Sequence, residues 1–195
     1  MDQDIASMIR RARQDRPDAV SELLNAYRNY LRVLAQVWVP ERIQNRSDPS
    51  DLVQETLLKA SRAFNDFRGA TEGELTSWLR RILSRALIDV VRKHDVASKE
   101  ISLEQFDGSG ERFLDLMVES GTSPSQAASR RELGVLLADA LARLSERHRQ
   151  LIILRSLKEL DWTEVAAKTG TTISSSRAMW LRALSRLRLE LGEVL

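Results

Sequence analysis

DWTEVAAKTGTTISSSRAMWLRALSRLRLEL, residues 161–191, decides how this chain is read. Asp161, with Glu164 three residues on, has the pattern of a capping box, in which each side chain satisfies a backbone amide that a helix start leaves free. It would open a short helix over 162–168. Gly170 follows where a helix end calls for a left-handed residue, and Thr172 is a reasonable N-cap for the next helix. Two helices joined by a short glycine-containing turn make a helix-turn-helix, whose second helix enters the DNA major groove.

Wound at about 100° per residue, Ile173, Ser176, Trp180, Ala183, Leu184, Leu187 and Leu191 gather on one arc of that second helix. Ser174, Ser175, Arg177, Ala178, Arg182, Ser185, Arg186 and Arg188 take the other half, while Leu181 and Leu189 violate the split. From 173 to 189 there are four arginines and no acid, a charge of +4. Guanidinium forks match phosphates and guanine edges, and serine hydroxyls suit backbone contacts. The blander account is an amphipathic helix with a solvated basic face, which most arginine runs are. The capped helix and glycine turn ahead of it favour DNA. If all four arginines sit on phosphates, the isolated C-terminal block should bind duplex with a salt slope of roughly −3.6. Ser176 falls on the buried arc, where a hydroxyl needs a partner.

Composition sets the terms outside this stretch. The 195 residues allow one large domain or two small ones. Charged residues make up 30%, yet the formal net charge is +2, so an electrostatic partner must be recognised by local patches. No stretch approaches a membrane span, and MDQDIASMIRRARQD lacks the apolar core of a signal peptide, so a cytoplasmic protein without membrane contact is expected. The absence of cysteine excludes disulfides and thiolate zinc sites, and it suits a reducing compartment. With only His94 and His148 to call on, neither a metal site nor catalysis nor a cofactor is expected.

Apolar residues recur at spacings of three and four with no alternating run, which predicts an all-α chain. Helices are expected near 3–15, 18–38, 49–66 and 75–93, with Pro17, Pro40 and Pro49 at their joints. Asp48 should cap the helix that Pro49 opens. Glycines 69, 73, 108, 110, 121 and 170 are read as falling between helices. Between Glu100 and Glu119 six acids face one base, Arg112, a charge of −5, and Gly, Ser and Pro124 fill much of the rest. The expected architecture is two small helical domains, 1–95 and 131–195, joined by a flexible acidic linker over 96–130.

A second basic helix lies in LTSWLRRILSRALIDVVRKH, where five bases outweigh Asp89 for a charge of +4. Ser77, Arg81, Ser84, Arg85 and Arg92 share one side and Leu79, Ile82, Leu83, Ala86, Leu87 and Val90 the other, with Trp78 on the border. A cationic strip edged by an aromatic ring suits single-stranded DNA, where bases stack and phosphates need cations. Alternatively Trp78 simply caps the core, the commoner fate of a helical tryptophan.

DPSDLVQETLLKASRAFNDFRG followed by SWLRRILSRALIDVVRK resembles the second conserved region of bacterial extracytoplasmic-function (ECF) sigma factors. LARLSERHRQLIILRSLKELDWTEVAAKTGTTISSSRAMWLRALSRL resembles their fourth, and IASMIRRARQDRPDAVSELLNAYRNYLRVLAQ fits their first helix pair. The resemblance spans nearly everything outside 96–130. It implies a specificity subunit of RNA polymerase, with core polymerase and promoter DNA as partners. Asp51, Leu52, Gln54 and Glu55 match the motif that docks on the clamp helices of the largest subunit, and the flap of the second-largest subunit is a further expected contact. Read from the residues alone, Asp51 and Glu55 lie one turn apart and could equally be an ordinary solvated face. The loop 67–76, with Arg68, and the helix 77–93, with Ser77, Trp78, Arg81, Ser84, Arg85 and Arg92, would hold the non-template strand of the −10 element. Thr172, Ser174, Ser175, Arg177, Ala178 and Arg182 would read the −35 element as duplex. The acidic linker would thread the polymerase channel near the RNA exit path.

Arg85 stands where relatives often carry asparagine, Ser176 where an apolar residue is usual, and Met179 where a base is frequent. Family members are often held by an anti-sigma factor, a candidate partner that no residue here identifies. Two other classes compete: a helix-turn-helix regulator that never joins core polymerase, and a nucleic-acid enzyme. The latter has neither metal-spaced ligands nor a glycine-rich phosphate loop to support it.

Overall fold

The computed structural model describes residues 5–14, 17–44, 48–94 and 124–192, and these residues contain helices and no strand. The N-terminal half runs α1 (Ile5–Ala12), α2 (Pro17–Ala26), α3 (Arg28–Trp38), the short α4 (Glu41–Gln44), α5 (Pro49–Ala63) with a 3-10 turn Phe64–Asp66, and α6 (Glu72–His94). The C-terminal half runs α7 (Pro124–Arg143), α8 (Glu146–Ile152) continued by a π turn Ile153–Leu157, α9 (Trp162–Thr169) and α10 (Ile173–Gly192). The all-α expectation holds across both halves. Most of the acidic segment expected as a linker, including every acid from Glu100 to Glu119, lies outside the described residues.

Where helices begin and end follows local chemistry. Asp48 caps α5 as expected, its carboxylate accepting from the Ser50 amide at 2.7 Å ahead of Pro49. The expected single helix 18–38 is two, broken at Tyr27. Tyr27 is fully buried, and its hydroxyl donates to Glu72 Oε1 at 3.1 Å, so the break lets one aromatic tie α2 and α3 to the start of α6. Helix α6 starts three residues earlier than expected because Thr71 and Glu74 form a reciprocal cap. Glu74 Oε2 accepts from the Thr71 amide at 3.0 Å, and the Glu74 amide donates to Thr71 Oγ1 at 3.3 Å. Gly73 therefore sits inside the first turn of α6 and not between helices. Helix α7 begins seven residues before the expected domain boundary at 131, at Pro124, a residue suited to a first helical turn.

In the N-terminal half α5 packs against α3 and α6, and Leu31, Leu34, Leu52, Phe64, Leu79, Leu83 and Leu87 meet in its centre. Helix α7 lies against α3 and α6 on one side and α10 on another, so this buried cluster continues into Leu137, Ala138, Leu141 and Leu187. Polar ties also cross between the halves: Asn29 donates to Asp139 at 2.8 Å, and Lys168 meets Glu41 at 2.6 Å. The Lys168 contact holds the Glu41 carboxyl below its ordinary range. An exposed pair of this kind contributes about 0–1 kcal/mol, against about 1.5–3 kcal/mol for one buried leucine. Apolar burial dominates. Leu151, Leu154 and Val165 form a second, smaller cluster inside the C-terminal half, with Trp162 and Met179 packed on it.

Candidate nucleic-acid interface

The turn between α9 and α10 is built as the sequence requires. Asp161 Oδ1 accepts from the Thr163 and Glu164 amides at 2.7 and 2.9 Å, and Glu164 Oε2 accepts from the Asp161 amide at 2.9 Å. Gly170 closes α9 at φ 62°, a left-handed conformation that suits a residue without a Cβ. Thr172 Oγ1 accepts from the Ser175 amide at 3.2 Å and so caps α10. Ser176 is fully buried, and the partner its hydroxyl needs is Thr171 Oγ1 at 2.6 Å. Thr171 in turn meets Thr169 Oγ1 at 2.9 Å, and Thr169 donates to Val165 O at 2.8 Å. Four side-chain and backbone groups thus pin the first turn of α10 to the last turn of α9.

Thr172, Ser174, Ser175, Arg177, Ala178 and Arg182 are all exposed along the start of α10. Arg177 does not extend freely. Its guanidinium lies 5.7 Å from the centre of the Trp162 ring, which also receives Arg155 at 5.1 Å. Trp162 packs edge-on against Trp180 at 5.6 Å, and Trp180 Nε1 donates to Ser156 at 3.2 Å. The π turn carries both Arg155 and Ser156, and Arg155 also donates to Leu160 O at 3.0 Å. Trp162 and Arg155 escaped the sequence reading. An aromatic at the first position of the supporting helix is the signal that could have raised them. Of the other two arginines on α10, Arg186 is tied to the buried carboxylate of Glu190 at 2.8 Å. Met179 packs on the small cluster and is therefore part of the core wall.

On α6, Arg81, Arg85 and Arg92 are exposed, as is Arg68 in the loop before it. Ser77 is half-buried, its hydroxyl donating to Gly73 O at 2.7 Å. Ser84 departs from the expected face: it is buried, donates to Arg81 O at 3.0 Å, and offers no surface contact. Trp78 is half-buried in a three-ring group, 5.0 Å from Phe67 and 6.2 Å from Phe64. The core-capping account of Trp78 thus describes most of its surface, and the remainder is exposed. The loop before α6 is held from the start of that helix. Glu74 Oε2 accepts from the amides of Ala70 and Thr71 at 2.8 and 3.0 Å, and these bonds, the Ala70 amide foremost, lower its carboxyl below the ordinary range. Neither Thr71 nor Glu74 was singled out from the sequence, although Thr-x-x-Glu ahead of an apolar run is the capping-box pattern.

On α5, Asp51 and Gln54 are exposed and Glu55 is half-exposed, giving one polar face. Leu52 is not part of it. At 1% exposure it belongs to the core, because a residue one position from Asp51 points about 100° away. The exposed apolar residue on the polar face is Leu58, one turn past Glu55, at 52%. Glu55 is engaged by Lys59 at 2.8 Å, and Lys59 also reaches Asp89 on α6 at 3.3 Å. Both acids raise the Lys59 pKa, Glu55 the more. Among the described residues no cluster of His, Asp and Glu could hold a metal ion, and no helix is long and apolar enough to cross a membrane.

Residues 19–96 match the family described as Sigma-70 region 2, and residues 134–187 match Sigma-70, region 4. RNA polymerase sigma factor YlaC of Bacillus subtilis (strain 168) is 27% identical over 174 residues, covering 89% of this chain and 90% of its own. The ferric citrate uptake sigma factor FecI of Escherichia coli (strain K12) is 29% identical over 161 residues, covering 80% of this chain and 84% of its own. RNA polymerase sigma factor SigV of Bacillus subtilis (strain 168) is 29% identical over 149 residues, covering 76% and 79%. The solved structure of CnrH in complex with the cytosolic domain of CnrY aligns over 96% of this chain at 19% identity. The alignment covers 97% of that chain, with a TM-score of 0.32.

Proposed function

The chain belongs to the sigma-70 family as an ECF sigma factor, a subunit that directs RNA polymerase to start transcription at specific promoters, and from that premise we propose how its parts divide the work. The C-terminal half, through Ser174, Ser175, Arg177 and Arg182 on the first turns of α10, reads the −35 element as duplex. The observation that supports this most directly is the hydroxyl-pinned turn with Arg177 laid against Trp162. A guanidinium already confined on an aromatic face loses less freedom when it meets a phosphate or guanine edge.

The N-terminal half takes the −10 element as a single strand, with Arg68, Arg81, Arg85 and Arg92 neutralising phosphates and the free edge of Trp78 offering a stacking surface. Extruding a base costs a few kcal/mol, which these contacts must offset. Asp51, Gln54 and Glu55 dock on the clamp helices of the largest polymerase subunit, with exposed Leu58 extending that face. Residues 1–95, 96–130 and 131–195 then act as −10 module, tether and −35 module. The tether's six acids suit a basic channel that RNA later occupies, and an anti-sigma factor is a candidate partner for the packed halves. The protein works in the cytoplasm, where its polymerase is, without catalysing a reaction of its own.

Holoenzymes assembled with Arg177→Ala and with Trp78→Ala test the division. The first should lose −35 duplex affinity and keep core association. The second should lose strand opening more than duplex binding, and equal loss of folding would return Trp78 to the core alone.

A further inference from the structure

Arg13 ties two distant parts of the N-terminal half together. It follows α1, six residues before the stretch that matches Sigma-70 region 2, and its side chain is exposed. Yet its Nη2 donates to the carbonyls of both Phe67 and Gly69, across more than fifty residues of sequence. Its guanidinium lies 5.9 Å from the centre of the Phe67 ring, the ring that stacks on Trp78 at 5.0 Å. Arg13, Asn65 and Arg68 share one polar cleft of about 400 Å³ floored by Phe64 and Phe67.

The loop from Phe67 to Thr71 is therefore clamped from two directions. Arg13 donates to its carbonyls from the end of α1, and Glu74 holds its amides from the start of α6. Gly69 sits in the closest part of the clamp. A Cβ there would lie 2.5 Å from Phe67 Cζ and 2.7 Å from the Glu74 Cβ, so no larger residue fits without moving the loop. A segment that meets one extruded strand must be held within a fraction of an ångström of its working position, and beyond buried Phe67 the residues 68–71 have no apolar side chain in the core to do that.

We propose that Arg13 is a positioning residue for capture of the −10 strand: it fixes the Phe67–Gly69 backbone and, through Phe67, the edge of Trp78, without itself contacting DNA. This rests on the assignment of that loop to the −10 element.

The test uses holoenzyme made with purified core polymerase and a fluorescein-labelled single strand carrying the non-template −10 segment of a promoter located by transcript-start mapping. Arg13→Ala should bind the strand roughly tenfold more weakly, the scale of one charge-assisted hydrogen bond, with core association and thermal midpoint unchanged. Its salt slope should equal that of the wild type, because no phosphate contact is lost. Arg13→Lys should restore little, since one ammonium on a flexible stem does not reproduce the guanidinium fork. A slope smaller by about 0.7 in Arg13→Ala, or full rescue by lysine, would mean that Arg13 touches a phosphate and would overturn the positioning role. Wild-type affinity in Arg13→Ala would overturn it too. If Arg13→Ala does not fold, Arg13→Met puts the same question with the apolar stem kept and the donors removed: weakened strand binding at an unchanged salt slope supports the clamp, and unchanged binding removes it. A wild-type holoenzyme that ignores the −10 strand would instead sink the assignment of the loop.

Discussion

Replacing Thr171 by valine should destabilise the C-terminal half by an amount the geometry fixes. Thr171 Oγ1 is the partner of the Ser176 hydroxyl, at 2.6 Å, and Ser176 has no exposed surface. Valine keeps the shape of threonine and strands that hydroxyl, which costs about 1–3 kcal/mol. Ser176→Ala removes the buried hydroxyl instead. It leaves Thr171, half-exposed and still bonded to Thr169 at 2.9 Å, so the loss is about 0.5–1.5 kcal/mol. With both changes nothing is stranded, and the double variant should lie about 1 kcal/mol above the sum of the singles. The assay is urea unfolding of the full chain followed by circular dichroism. Thermal scans should fall about 2–4 °C for each kcal/mol in a chain of this size. Strictly additive losses would refute the account, because the two hydroxyls would then be solvated independently.

Trp162→Ala should weaken −35 duplex binding by about two- to fivefold, the worth of one exposed cation–π contact, and Trp162→Phe should recover most of it; unchanged affinity in the alanine variant would show that Arg177 needs no support. The salt slope of duplex binding should be near −2.7 and not −3.6, because Arg186 is held by Glu190 and three arginines remain at about −0.9 each; Glu190→Gln should steepen it. Asp51→Lys with Glu55→Lys should abolish copurification with core polymerase before any loss of −35 duplex binding, and retained holoenzyme would move the docking face elsewhere. Glu74 has a folded pKa below its reference value of 4.5, so its hold on the loop is complete above 4.5 and is lost as pH falls through the folded value. NMR resonances of the Ala70 and Thr71 amides should therefore titrate only below pH 4.5, and Glu74→Gln should remove the step.

What the sequence made legible was what local chemistry decides. The Asp161–Glu164 box, the left-handed Gly170, the Thr172 cap and the buried Ser176 are each fixed within a few residues, and each stands as read. The start of α6 was equally local, and Thr71 with Glu74 carried the signal, but Gly73 read as a breaker and hid it. Other features depend on tertiary contacts. Arg13 meets Gly69 across 56 residues of sequence, and Arg155, carried on a π turn, meets Trp162 seven residues on, so neither pairing shows in a local pattern. The wheel placed Ser84 on the basic side, while the structure buries it at the margin of that side, where 100° steps cannot separate a boundary residue from an exposed one. Leu52 entered through the resemblance, and its place in the core leaves the exposed face of α5 to its polar neighbours and Leu58.

The most direct test of the central claim is promoter-dependent transcription: purified chain, purified core polymerase, genomic fragments, and sequencing of the transcript starts. The account predicts discrete starts that require the chain and share two upstream elements at fixed spacing, with Arg177→Ala reducing use of the −35 element. Tight duplex binding without core association and without initiation would contradict it, leaving a helix-turn-helix regulator in its place.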